Sequence, residues 1–462
     1  MEILEYLNEH KEDILDDLFD LIKIPSVATE ATGDKPYGEA CARAVDYIIE
    51  LAGRYGMTTK NFDYYAATAT YGDTPEKLGI LTHLDVVPEG NGWVFDPFFM
   101  TRHCGRIYGR GVADDKGCAV MSLWAIKAIK ELGIPLKHGV RLVFGSGEEV
   151  GCKDLEYYMS KEKMPPYVFS PDAHFPIINT EKGRYCGEFS VVYDNCIDGP
   201  QLVRFNGGST VNVVPQNCTA TVRDISEETL QKALKKIKRN FNLTYKYNVK
   251  KTDINISFEE SSSHASTPEK GVNAVTAMLT LINILPLDGQ AFAFAKRINA
   301  MFPHGDYYGK ALNAEVSDEL SGKSTYSLDV LNIENGRIDG SFDSRTSLSA
   351  NEENTVMPIK EKMDDAGIHL KNNTMMPAHH VDSEIDFIKI LGNAYEKYTG
   401  LKSECIAMGG ITYVHGIENA VAFGPLMQDC DAHIHGANEF METDDIIRAT
   451  AIFTQAVIDI CS

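Results

Sequence analysis

Five short stretches of this chain carry histidine and acidic side chains at spacings that suit metal chemistry. In THLDVVP, His83 and Asp85 are two apart on a predicted strand, so both point to one face. A neutral imidazole there can bind a metal through one nitrogen while Asp85 accepts a hydrogen bond from the other. In GRGVADDKG, glycines bracket Asp114 and Asp115 just before a predicted helix. Adjacent carboxylates repel unless cations or hydrogen bonds hold them. GSGEEVG holds a second like-charge pair, Glu148 and Glu149, in a turn after an apolar strand. Side chains of neighbouring turn residues diverge, so one carboxylate can bind metal while the other stays free as a base. SPDAHFP puts Asp172 at a strand end, and DAHIHGANE carries His433 and His435. A sixth stretch, SSSHASTPEKG with His264, falls in a different part of the chain.

Taken singly, each stretch also fits an ordinary role: a chance pair on a sheet, a capped helix start, a solvated turn, a plain loop. Taken together, the first five supply His, Asp, Glu, Asp and His. Hard and borderline cations such as zinc or manganese accept that donor set. It contains no cysteine, which argues against a purely structural zinc site.

The elements that must position these residues follow from periodicity. Leu7, Ile14, Leu15, Leu18 and Ile22 recur at helical spacing until Pro25. A second helix is predicted from Tyr37 to Tyr55. KLGILTHLDVV (77–87), VRLVFGS (140–146) and YVFSPD (167–172) read as buried strands. They alternate with a helix over 116–132, closed by Gly133, and with a short helix after 146. This alternation predicts an α/β fold, a mixed-sheet catalytic domain with helices on both faces. Ligands bind such sheets at the carboxyl ends of strands. From 184 to 381 the texture changes: a charged helix (225–241) and another from near Val272 sit among strands such as GEFSVVY and TATVRDI. This segment is predicted to be an inserted α+β lid domain. Helices over 383–398 and 443–460, with the strand AVAFG (420–424) between them, then rejoin the first domain, giving a discontinuous catalytic domain of 1–183 and 382–462.

The chain has 462 residues, which favours two domains over one core. Its formal net charge of −22 excludes nonspecific binding to nucleic acid and to anionic membranes. No apolar run reaches the length of a membrane span. The N-terminal stretch lacks the basic start and apolar core of a signal peptide. The ten cysteines include no CxxC pair and are read as reduced packing residues, Cys104, Cys118, Cys152 and Cys430 near the motifs included. The expected location is the cytoplasm.

HLDVVP, GRGVADDKG, GSGEEVG, SPD and HGANE, in this order, resemble the co-catalytic metallopeptidases that include aminoacylase, glutamate carboxypeptidase and succinyl-diaminopimelate desuccinylase. The likeness runs from about residue 15 to the C-terminus. It implies two divalent metal ions, Zn2+ first with Mn2+ or Co2+ as alternatives. His83 and Asp172 would bind one ion, Glu149 and His435 the other, and Asp114 would bridge both. Asp85 would orient His83, and Glu148 would act as general base on a metal-bridging water. A cis peptide would follow Asp114. GWVFDPF, SPDAHFPIINTEKG, STVNVVP, HASTPEKGVNA, FDSR and GGITY look most like the PepV-type dipeptidases. By that likeness His264 would stabilise the oxyanion. Asn212 and Arg345 would bind a dipeptide's C-terminal carboxylate, and the loop with Gly409 and Gly410 would line the same pocket. Arg345 equally fits a surface salt bridge. The insertion is long enough for a doubled lid, so His264 would reach the site within one chain and the enzyme would work as a monomer. Ser261–Ser263 replace the glycine-containing form usual before the lid histidine. His174 and His433 are read as supporting or packing residues.

The implied function is a dipeptidase acting on small peptides. A deacylase or desuccinylase of N-acyl amino acids would share all the metal chemistry and differ only in its pocket. A non-catalytic metal-binding protein would be expected to have lost a ligand or the base, and here every such position is filled.

Overall fold

The computed structural model describes residues 2–73, 75–194, 198–239, 241–371 and 374–462. The chain forms two compact units. One comprises Met1–Thr180, His380–Ile406 and Ile411–Ser462; the other comprises Glu181–His379 and Ala407–Gly410.

The first unit is α/β. KLGILTH becomes the strand Glu76–His83, and every residue from Leu78 to His83 is buried. A strand buried along its length has both faces covered, which explains the continuous apolar run. It lies parallel to Gly139–Gly145 on one side and to Tyr167–Ser170 on the other. Ala420–Ala422 extends the parallel set beyond Tyr167–Ser170. Antiparallel strands Ala66–Tyr71 and Thr58–Phe62 complete the opposite side, so the sheet is mixed. The helix Lys116–Glu131 is buried at almost every position and packs with Thr443–Cys461 over the sheet. Because three of the parallel strands run the same way, His83–Asp85, Glu148–Glu149 and Asp172 all emerge at one edge. His83 pairs in register with Gly145.

One expectation needs amending. The N-terminal segment is two helices, Ile3–Glu9 and Lys11–Ile22, rather than one. His10 breaks the run: its Nδ1 lies 3.0 Å from the Tyr6 carbonyl oxygen, and its ring stacks on Tyr6 at 4.3 Å.

The second unit is built on an antiparallel sheet in the order Arg337–Thr346, Thr325–Glu334, Gln201–Gly207, Asn217–Arg223, Asp253–Glu259, Tyr245–Lys250. Alternation is clear in its strands. Cys218, Ala220 and Val222, with Ile254, Ile256 and Phe258, are buried while their neighbours are more exposed. That period of two is the mark of a sheet with one covered face. Helices Glu227–Lys238 and Ala274–Asn283 are capped by the Ser226 and Asn273 side chains, which accept from Thr229 N and Thr276 N. No helix among the described residues is long and apolar enough to cross a membrane. All nine described cysteines are free thiols.

His304 in the second unit gives a stability prediction. Its Nδ1 lies 2.9 Å from Thr276 Oγ1 and its ring meets Phe241 edge-on at 4.6 Å. Burial pushes the imidazole down to about 4. The unfolded chain takes up that proton near pH 6.5, so stability is full above about 6.5 and is lost as pH falls towards 4. Between pH 7 and pH 5 this group accounts for about 2 kcal/mol of lost stability. In urea unfolding, His304→Gln should show a correspondingly smaller acid shift of the second unit's midpoint; an unchanged shift would refute the assignment.

Candidate metal centre

His83 ends its strand fully buried. Its Nδ1 meets the Asp85 backbone carbonyl at 2.9 Å and the Asp85 carboxylate at 3.5 Å. The Asp85 carboxylate also reaches the glutamate turn. Its Oδ1 and Oδ2 accept the backbone N–H groups of Glu148 and Glu149, each at 3.1 Å. Asp85 therefore positions the turn that carries both glutamates as well as the imidazole.

A second buried carboxylate completes that turn. Asp154 Oδ2 accepts from Ser146 N and Gly147 N at 2.8 Å and from the hydroxyl of Tyr413. Gly145 admits this arrangement, since a Cβ there would lie 2.0 Å from the Tyr413 oxygen. Four consecutive N–H groups, 146 to 149, thus point at two carboxylates. Sequence reasoning does not find Asp154 and gives Tyr413 no role. Tyr413 stands in GGITY, so only its motif is visible there.

Asp114 sits between the two histidines. Its Oδ1 is 3.0 Å from His83 Nε2, and its Oδ2 is 3.0 Å from His435 Nε2. Asp172 Oδ2 is 4.0 Å from His83 Nε2, and Glu149 Oε1 is 3.1 Å from His435 Nε2. His83, Asp114 and Glu149 bring one donor atom each within 4.8 Å of one another. The Asp114–Asp115 peptide is cis. Asp115 turns away from this group and accepts from His83 N at 3.0 Å. His174 instead meets the Cys430 carbonyl oxygen at 2.9 Å, and His433 packs edge-on against Phe440 at 5.5 Å.

Burial and close spacing push several of these groups away from their ordinary protonation. Burial pushes Asp172 well above the usual carboxylate range, with Asp114 adding to it, and pushes Glu148 up to about 8. Burial also acts on Asp114, but His435 and His83 outweigh it and hold it low. Contacts with Asp114 and Glu149 raise His435 to about 10. Buried His83 Nε2 has the Asp114 carboxylate at 3.0 Å but no well-aligned hydrogen bond. Two imidazole nitrogens facing converging carboxylates are a donor set that fits a divalent cation.

The other expected site residues lie in the second unit and meet one another there. Asn212, at φ 75, has its N–H held by Asp329 Oδ2 at 2.8 Å, and its carbonyl accepts from Ala265 N at 2.8 Å. His264 Nδ1 accepts the Ser266 backbone N–H at 3.1 Å, which leaves the ring proton on Nε2. Ser266 packs on Gly409, where a Cβ would lie 2.7 Å from the serine Cβ. Gly410 is the next residue, against Met408. The Gly409 carbonyl accepts from Arg345 Nη1 at 2.9 Å. Arg345 is 4% exposed, so it is no surface salt bridge. Asp343 pairs with both Arg345 and Arg184 at 2.8 Å.

The sequence model of a family described as Peptidase family M20/M25/M40 matches residues 79–459. The chain belongs to that family. The chain is alike over its whole length to Beta-Ala-Xaa dipeptidase of Lactobacillus delbrueckii subsp. lactis, 32% identical over 461 residues, 99% of this chain and 97% of that protein. YtjP of Bacillus subtilis (strain 168) is 32% identical over 455 residues, 97% of each chain. The crystal structure of human carnosine dipeptidase 1 shares the fold, with a TM-score of 0.61 at 15% identity over 99% of this chain and 98% of that one. Members of family M20/M25/M40 are metal-dependent, in keeping with the donor set above.

Cation binding should therefore displace a proton. With His435 raised to about 10, the metal-free imidazole is protonated at neutral pH, and a cation must compete with that proton. Affinity should rise with pH through the neutral range, with proton release seen by calorimetry in buffers of differing ionisation enthalpy. His435→Ala should reduce that release; pH-independent binding would contradict this reading.

Proposed function

We propose that this chain is a dipeptidase in which Asp114, set between two histidines, would help to hold two divalent cations. The observation that carries the reading is the division of Asp114: one oxygen faces His83, the other faces His435, each at 3.0 Å. His83 and Asp172 would hold one cation and Glu149 and His435 the other. Zinc suits these nitrogen and oxygen donors, as do manganese and cobalt. The dipeptidase activity is carried over from the Lactobacillus relative, which is alike along its whole length.

Bound cations would supply Lewis-acid activation of water and of the scissile carbonyl. Glu148 then takes a proton from the attacking water and later delivers it to the leaving amine. Its place is set by the N–H groups of its turn, held by Asp85 and Asp154. His264, with its proton on Nε2, donates to the oxyanion as the carbonyl carbon becomes tetrahedral. The substrate carboxylate goes to Asn212, Arg345 and the backbone at Gly409 and Gly410. Two guanidiniums share the single carboxylate of Asp343, so one positive charge is left for it. Recognition of that carboxylate would favour dipeptides over long chains.

Replacing Glu148 with Gln should lower kcat by about 10^2- to 10^4-fold with metal content unchanged. Wild-type protein should hydrolyse β-alanyl or hydrophobic dipeptides faster than acetyl or succinyl amino acids, and chelation should abolish the activity. A preference for the acyl substrates would instead make it a deacylase or desuccinylase.

A further inference from the structure

Two buried ionisable groups beside this centre have no part in the reaction. Arg110 and Glu439 are 1% and 0% exposed, and Arg110 Nη1 donates to Glu439 Oε2 at 2.6 Å. A buried ion pair is not stabilising in itself, because desolvation of both charges rivals their attraction. What the pair does depends on its other partners. Glu439 accepts from Gly111 N at 3.1 Å, from Ala113 N at 2.9 Å and from Asp114 N at 3.2 Å. Arg110 Nη2 donates to the Gly436 carbonyl at 3.1 Å and to those of Pro88 and Glu89 at 3.4 Å. The Trp93 ring lies 5.3 Å from the guanidinium. Three loops converge here: the one after the His83 strand, the turn carrying Asp114, and the loop carrying His435.

The His435 loop needs outside support. Residues 430–438 form no helix or strand, and His433, His435 and Asn438 all have positive φ. His435 itself is half-exposed. By contrast, His83 is the last residue of a central strand, and Asp172 follows another closely.

The geometry points to the Arg110–Glu439 pair as the positioning device for the cation between Glu149 and His435. It holds the Asp114 main chain and the Gly436 carbonyl, next to His435, at a fixed separation. This inference rests on the two-cation reading. Arg110 and Glu439 touch neither cation nor substrate, so they are positioning residues. Loss of such outer partners costs metal sites about 10- to 100-fold in affinity. Here the larger cost should fall on the cation at His435, whose loop depends on the pair, since the other shares Asp114 but is otherwise held by His83 and Asp172 beside the sheet.

The test is Zn2+ titration of the metal-free full-length protein against a chromogenic chelator. Glu439→Gln keeps the shape but turns an NH2 towards Arg110 or Gly111 N–H; Arg110→Lys keeps the charge but loses the fork. Wild type should take up two ions. In each variant the ion at His435 should bind about 10- to 100-fold more weakly while the other loses clearly less, and excess Zn2+ should restore hydrolysis. In a His435→Ala background, Glu439→Gln should weaken the remaining ion less than it weakens the His435 ion in the wild-type background. Wild type with two ions and both variants unchanged, or both ions weakened alike, would overturn the positioning role alone. A wild type that takes up a single ion would overturn the two-cation reading as well. If Glu439→Gln does not fold, Arg110→Lys decides the matter on the same criteria.

Discussion

An excess of carboxylate at one edge of the first unit's sheet is the constraint on which the rest depends. Asp114, Asp172 and Glu149 converge on two imidazoles, with Asp115 buried behind them. Like charges at such spacing raise one another's pKa or draw in cations. Burial removes the option of water as counterweight, and the raised values of Asp172 and Glu148 record that cost. The arrangement makes physical sense as a receptacle for divalent charge. In that setting the protonated His435 of the metal-free chain occupies the place of a cation.

The fold produces this convergence by simple means. Parallel strands that end in register deliver their following loops to one edge. Fine placement is then done by buried side chains that collect backbone N–H groups. Asp85 and Asp154 gather four of them from the glutamate turn. Glu439 gathers three from the Asp114 turn. Each carboxylate spreads its charge over fixed dipoles, which keeps the loop and its side chains in one arrangement.

Much of this is legible in the sequence. Apolar runs mark the central strands because both faces are covered, and period-two strands with capped helices mark the second unit. The histidines and carboxylates stand out because charged residues seldom follow apolar strands without cause. Less visible are the residues that only serve backbone. Glu439 and Arg110 lie inside the HGANE and GRGVADDKG motifs, yet nothing in their spacing tells that one caps a turn and the other spans three loops. Asp154 sits at the start of a short helix, where an acidic residue is ordinary, so its burial could not be foreseen. The break at His10 is hidden too, because the apolar spacing continues across it.

The most direct test of the central claim is anomalous scattering from crystals of the protein grown with Zn2+ or Mn2+. The account predicts two peaks per chain, one on each side of Asp114: one among His83, Asp172 and Asp114, the other among His435, Glu149 and Asp114. A single peak, or peaks away from Asp114 with its carboxylate turned to other partners, would contradict it.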